Sequence, residues 1–200
     1  MVVFSIGDEV IYFQSPTYPD ERGCFSVGFN KECFAKQFGI QPEFVQQNIS
    51  FSYNLVARGL HYQEINPQGK LVSCFQGDVI DIILDIRPES TTYGKFEFFL
   101  LNSPDVFLWI PPGFAHGFIA YTGPAGLQYF VTDKWNPKGE RGINLMDTLF
   151  SLPSKYKINS YDGCGKDVKS YEFLLNDSNI SKYLTLSEKD AQLPSIWEIK

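Results

Sequence analysis

An antiparallel all-β barrel or sandwich is the fold class that this 200-residue sequence predicts, from three observations. Short runs rich in Val, Ile, Phe and Tyr recur from residue 42 onward, several of them alternating apolar with polar side chains. Gly, Pro, Asn or Asp bounds each run, and these are the residues that tight turns require. The runs also follow one another at short spacing, which suits antiparallel neighbours rather than βαβ crossovers.

Each element can be justified in turn. "NKECFAKQFG" (30–39) predicts a helix that Asn30 caps and Gly39 closes, with Phe34 and Phe38 on one face. "KLVSCFQGDVIDIILDIR" (70–87) reads as two strands joined by a turn at Gly77-Asp78. "KFEFFLL", "VFLWIP", "HGFIAYT" and "LQYFVTD" continue the β pattern. Residues 151–180 are less regular and rich in Ser, Lys, Asn and Gly, and a short capped helix is expected near 187–193. No repeat, low-complexity tract or linker interrupts the chain, so residues 1–200 are expected to form a single domain.

Composition excludes several function classes. With 44% hydrophobic and 16% aromatic residues the chain can bury one sizeable core. A net charge of −6 and the lack of any Lys/Arg run argue against nucleic acid as partner, although local basic residues could hold a pyrophosphate. No apolar run approaches the ~18 residues of a membrane span, and "MVVFSIGDEV" lacks the features of a secretory leader. Cys24, Cys33, Cys74 and Cys164 form no C-x-x-C pair, which favours buried thiols in a reducing cytoplasm over a disulfide framework. A cytoplasmic location is expected.

The chain has two histidines, His61 in "RGLHYQ" and His116 in "PPGFAHGF". Double-sheet jelly rolls that hold a metal supply several His and a carboxylate, beginning with an H-x-H pair on one strand. Here that pair reads His61-Tyr62-Gln63, although Pro111 to His116 resembles the P-x-G-x-x-H half of the pattern. A neutral amide is a weak ligand, so no metal is expected. Taken alone, His61 is either a base or a hydrogen-bonded core imidazole.

The motifs "RGLHYQ", "GKLV", "GDVIDIILDIRPES", "IPPGFAHGF", "TDKWNPKGERGI" and "LSEKDAQLP" occur in a characteristic order, after "DERGCF" near residue 20 and "FVQQN" near residue 44. In this the sequence resembles the dTDP-4-dehydrorhamnose 3,5-epimerase family over about residues 20–195. The resemblance implies a double-stranded β-helix jelly roll of the cupin type with a few short flanking helices. It also implies a homodimer with a shared active site, acting on a nucleotide-linked 4-keto-6-deoxyhexose without metal or organic cofactor. The setting would be deoxysugar biosynthesis for a surface polysaccharide such as O-antigen, or for a glycosylated product.

The implied chemistry explains the residue types. A hydrogen beside a ketone becomes acidic when the enolate is stabilised, and epimerisation needs a base on one face and an acid on the other. By resemblance His61 is the base, Asp190 the carboxylate that orients it, Lys70 the cation beside the C4 oxygen, and Tyr129 the acid. Arg58 and His116 match phosphate-side residues, and Arg22 and Lys189 match further charged contacts, with Arg22 reaching into the neighbouring subunit's site. Gln46, Asn48 and Glu140 match substrate contacts, and Trp135 an aromatic that stacks on the nucleotide base. Each has a plainer reading beside this one. Asp190 lies three residues after Ser187, as in a helix cap. Lys70 could be a solvated turn residue and Tyr129 an ordinary strand aromatic. Arg58 and His61, three apart, would face opposite ways on a regular strand, so either the strand is bulged or one of them leaves the pocket.

Two departures bear on the substrate. Val27 stands where the family has a glutamate that accepts from thymine N3–H, and its loss fits the bare N3 acceptor of cytosine. The nucleotide is therefore dTDP by family frequency, or CDP. Inversion at C3 alone and inversion at C3 and C5 use the same residue types. A sugar-nucleotide 3,4-ketoisomerase and a non-catalytic sugar-nucleotide-binding jelly roll are the rival readings. The chain is longer than the usual family member between Asp147 and Leu186, with no role assigned to the extra length.

Overall fold

The computed structural model describes residues 2–5, 9–151, 156–161, 168–173 and 183–198. Strands β1 (Val2–Ser5), β2 (Val10–Gln14), β3 (Thr17–Asp20) and β4 (Gly23–Ser26) come first, then helix α1 (Lys31–Phe38). Strands β5 (Gln46–Ser52), β6 (Ala57–Gln63), β7 (Lys70–Asp85), β8 (Phe96–Leu101), β9 (Val106–Ile110) and β10 (Phe114–Val131) follow. After β11 (Glu140–Gly142) come α2 (Leu145–Ser151), β12 (Tyr156–Tyr161), β13 (Val168–Phe173) and α3 (Glu188–Ala191).

The long strands β7 and β10 each serve two sheets. Lys70–Ser73 of β7 pair with β9, whereas Val79–Leu84 pair with β8. His116–Ile119 of β10 pair with β6, whereas Ala125–Val131 pair with β5. One layer is thus β1-β2-β9-β7-β10-β5 and the facing layer β11-β6-β10-β7-β8-β12, the two sharing their central strands. This is a jelly roll, in which strands pass from sheet to sheet at bulged corners. The sequence reading needs correction here, because Gly77-Asp78 is no hairpin turn. Gly77, at φ 71, lies inside β7 where the β7–β10 register shifts, opposite Thr122 to Gly126 in a strand that also reads as two runs. The left-handed glycine bends the strand across the barrel corner instead of reversing it.

Period-two alternation sorts side chains between an interior core and two outer ones. Val72, Cys74, Val79, Ile83, Phe114, Phe118 and Leu127 point between the sheets. Ile80, Ile82, Leu84, Ala115 and Ile119 point outward, beneath α2. On the opposite outer face Ile11, Phe13, Leu71 and Trp109 are covered by α1. This helix forms as expected: the Asn30 side chain accepts from Cys33 N–H, Gly39 ends the helix at φ 73, and Phe34 packs into Phe13 and Phe38. Among the described residues only Cys74 is a buried thiol, since Cys24 and Cys33 are free and exposed; Cys164 lies outside the described residues. Between α2 and α3, β12 and β13 pair antiparallel, and β12 adds in parallel to β8. Among the described residues no helix is long and apolar enough to cross a membrane.

Candidate active site

The inward alternation that builds the core also places polar side chains at one mouth of the barrel. Lys70 shares its face with Val72 and Cys74, His116 with Phe114 and Phe118, and Tyr129 with Leu127. They open on a cavity of about 740 Å³ whose lining also includes Arg58, His61, Lys189 and Asp190. Arg58 and His61 both reach it because β6 is bulged. His61 pairs with His116 and Arg58 with Phe118, so three steps along β6 answer two along β10. The extra residue restores both side chains to the inner face while Leu60 stays in the outer core. Gly117 permits the close approach, since a Cβ there would lie 2.5 Å from the Arg58 carbonyl oxygen.

Asp190 arrives from the far end of the chain. Thr185 bridges to Val56 in parallel and exchanges backbone hydrogen bonds with Leu55 and Ala57, laying the last segment along the start of β6. Ser187 then caps α3 by accepting from Asp190 N–H, but the Asp190 carboxylate does not complete a capping box, because it is turned to His61 and Gly59 instead. The buried carboxylate is left free to act: Oδ1 lies 2.7 Å from His61 Nε2, and Oδ2 accepts from Gly59 N–H at 3.2 Å. With Nε2–H donated to Asp190, the half-buried imidazole keeps Nδ1 as its basic atom.

Burial lowers the Lys70 ammonium to about 8, against the opposing pull of Asp81 and Glu140. Burial raises the Tyr129 phenol, partly offset by a hydrogen bond to Asn48 and by Arg58, so at neutral pH it holds its proton. Tyr129 and His61 belong to opposite layers, Tyr129 to the β10 segment paired with β5 and His61 to β6.

The remaining predicted residues divide into three groups. Arg58 Nε donates to Ser52 Oγ at 3.0 Å and its Nη2 to the Phe51 carbonyl at 3.1 Å, which fixes the guanidinium at the cavity wall. Asn48 stands opposite Tyr129 on β5, and Gln46 donates to it at 2.6 Å. At the rim Lys189 Nζ donates to Glu140 Oε2 at 2.7 Å. Burial raises the Glu140 carboxyl, but Lys189, the Trp135 indole and His61 outweigh it and hold the group below its usual range. Trp135 is 61% exposed. Arg22 is not brought to this cavity. It sits at the tip of the β3–β4 hairpin, side chain 83% exposed, and among the described residues it pairs only with Asp20. Val27 lines a separate cavity of about 350 Å³ with Phe13 and Phe29.

Sequence reasoning missed Asp81. It is fully buried on the inner face of β7, and its Oδ2 lies 2.8 Å from His116 Nε2. Its signal was present in "VIDIIL", an acid in an apolar strand on the same face as Val79 and Ile83. Among the described residues no group of three or more His, Cys, Asp or Glu is arranged to hold a metal ion.

A jelly roll whose mouth gathers a carboxylate-paired imidazole, a phenol from the opposite layer and a buried ammonium holds the groups that an acid–base isomerase needs. The comparisons name the family. The model of the dTDP-4-dehydrorhamnose 3,5-epimerase family matches residues 6–198. The dTDP-4-dehydrorhamnose 3,5-epimerase of Shigella flexneri is 38% identical over 168 residues, covering 83% of this chain and 92% of that one. The crystal structure of dTDP-6-deoxy-D-glucose-3,5-epimerase from Legionella pneumophila in complex with dTDP-4-keto-L-rhamnose superposes with a TM-score of 0.80. It is 32% identical and covers 100% of this chain and 94% of its own. The dTDP-4-dehydrorhamnose 3,5-epimerase of Bacillus anthracis, with TDP and PPi bound, gives 0.78 at 25% identity, covering 98% and 99%. The chain belongs to the dTDP-4-dehydrorhamnose 3,5-epimerase family, and it is an isomerase of the epimerase class.

Proposed function

We propose that this enzyme inverts C3, and C5 by the same chemistry, of dTDP-4-keto-6-deoxyglucose, working as one jelly-roll domain. His61 Nδ1 takes the C3 proton, and the C–H electrons pass to the C4 oxygen as the enolate forms. The Lys70 ammonium stabilises that oxygen. The Tyr129 phenol then delivers its proton to the opposite face of C3, and solvent restores both groups. Arg58 and His116 meet the diphosphate, Lys189 and Glu140 the rim-side polar groups, and Trp135 the base. The observation that carries this reading is the joint presence in one cavity of His61–Asp190, Lys70 and Tyr129, with the imidazole and the phenol on opposite layers.

Two features support a homodimer. Strand β5 offers one edge to β10 and carries exposed Ile49 and Phe51 beside the cavity. The β3–β4 hairpin holds Arg22, Tyr18 and Phe25 out from their own subunit, so that in a dimer Arg22 would reach the partner's diphosphate.

Product NMR tests the proposal with dTDP- and CDP-linked 4-keto-6-deoxyglucose. Inversion at C3 with the dTDP form is expected. A carbonyl moved to C3 would identify a ketoisomerase, and tight binding without reaction a non-catalytic binding protein. A preference for the CDP form would favour the cytosine reading.

A further inference from the structure

Beside His61–Asp190 the cavity holds a second imidazole–carboxylate pair that the proton transfer at C3 does not use. His116 and Asp81 are both almost wholly buried, with His116 Nε2 and Asp81 Oδ2 2.8 Å apart. The other Asp81 oxygen has no hydrogen-bond partner among the described residues. With Nε2–H donated to Asp81, His116 has Nδ1 left for a ligand in the cavity. A neutral imidazole presents a lone pair there, which repels an anion, whereas an imidazolium presents a second N–H.

We propose that Asp81 is a positioning residue that lets His116 take up a proton when the anionic substrate binds, so that the site gains a cation as the diphosphate arrives. This rests on the substrate reading above. In the free site the surroundings oppose charge on His116. Burial lowers it most, Asp81 pulls the other way, and Lys70 of β7 and His61 of β6 add to the lowering. Arg58 of β6 brings more positive charge to the same cavity. On the α3 side Asp190 is engaged by His61, and Lys189 by Glu140 of β11. A diphosphate placed with one oxygen against Nδ1, as the substrate reading has it, reverses that balance, because charge attraction grows as separation shrinks. Asp81 then shares the imidazolium charge from behind, as a buried carboxylate does for a catalytic imidazole.

Calorimetry of dTDP-glucose binding tests this, since its diphosphodiester has no proton to exchange near neutrality. Titrations just above neutral pH, in buffers of different ionisation enthalpy, count the protons taken up. The wild type should take up a large fraction of one proton, and its affinity should fall by up to about tenfold per pH unit as pH rises. Asp81→Asn and His116→Gln should each lose most of the uptake and keep only the smaller fraction that Lys70, lowered to about 8, takes up beside an anion, while His61→Asn should keep it in full. If Asp81→Asn fails to fold, the wild type and His116→Gln decide the matter. A purely structural Asp81 would weaken binding and leave the proton count unchanged, which overturns the inference. Wild-type binding without uptake overturns it as well, leaving the epimerase reading intact because deuterium exchange at C3 measures that separately. If dTDP-glucose does not bind, the inference fails, and the exchange assay shows whether the epimerase reading fails with it.

Discussion

His61 Nε2 and Asp190 Oδ1 stand 2.7 Å apart although 129 positions separate them in the chain. The carboxylate is buried, and its second oxygen is tied to the backbone of β6 itself, at Gly59. One side chain thus orients the imidazole and anchors the strand that carries it. Asp190→Asn should preserve the fold, because Ser187 still caps α3 and the amide oxygen can still accept from Gly59 N–H. It should lower turnover by roughly two to four orders of magnitude, because the amide can hold the wrong tautomer. Steady-state kinetics beside a thermal melt checks both halves.

Tyr129→Phe should separate proton removal from inversion. Base and enolate stabiliser remain, so substrate should still exchange its C3 proton with solvent, while inverted product falls by roughly two to four orders of magnitude. Exchange and inversion followed in one NMR sample test this. Equal loss of both would remove Tyr129 from the acid role.

Lys70 sets an alkaline limit. In the proposed reaction the ammonium is the form that stabilises the enolate, and burial lowers it to about 8. On the alkaline side turnover should therefore decline as pH rises through that value. Stability should move the other way. Between about 8 and the ordinary 10.5 the unfolded chain binds the proton that the folded chain has released, so this group makes stability rise with pH. Lys70→Met should lose turnover and that rise together, as read by denaturant unfolding across the same pH range.

The bulge in β6 rests on the closeness of two backbones. A Cβ on Gly117 would lie 2.5 Å from the Arg58 carbonyl oxygen and 2.9 Å from Leu60 Cδ2. Gly117→Ala should cost at least the roughly 1–3 kcal/mol usual for overpacking, and it should lower turnover by shifting His61 from Asp190. Gly123→Ala is the control. At φ 61 with open space around it, it should cost roughly 1–2 kcal/mol and leave turnover unchanged.

The sequence exposed some of this directly. Asn30 and Gly39 mark the ends of α1, and strand alternation identifies the barrel, because both signals are local. His61, Lys70, Tyr129 and Asp190 were legible only through their joint resemblance to a family, since each alone has an ordinary structural role. Gly77-Asp78 reads as a turn because a bend inside a strand and a reversal use the same residues. The bulge that turns Arg58 and His61 inward is hidden, since it depends on the register of β10 against β6. Asp81 was overlooked because an acid within an apolar run declares its purpose only when His116 is seen beside it.

Deuterium incorporation at C3 of dTDP-4-keto-6-deoxyglucose in heavy water, with wild type and His61→Asn run in parallel, bears most directly on His61 as the base. The wild type should fill the C3 position with deuterium as product forms, and the variant should leave it unlabelled. Near-normal labelling by His61→Asn would show that another group removes the proton, leaving the imidazole of "RGLHYQ" a structural partner of Asp190.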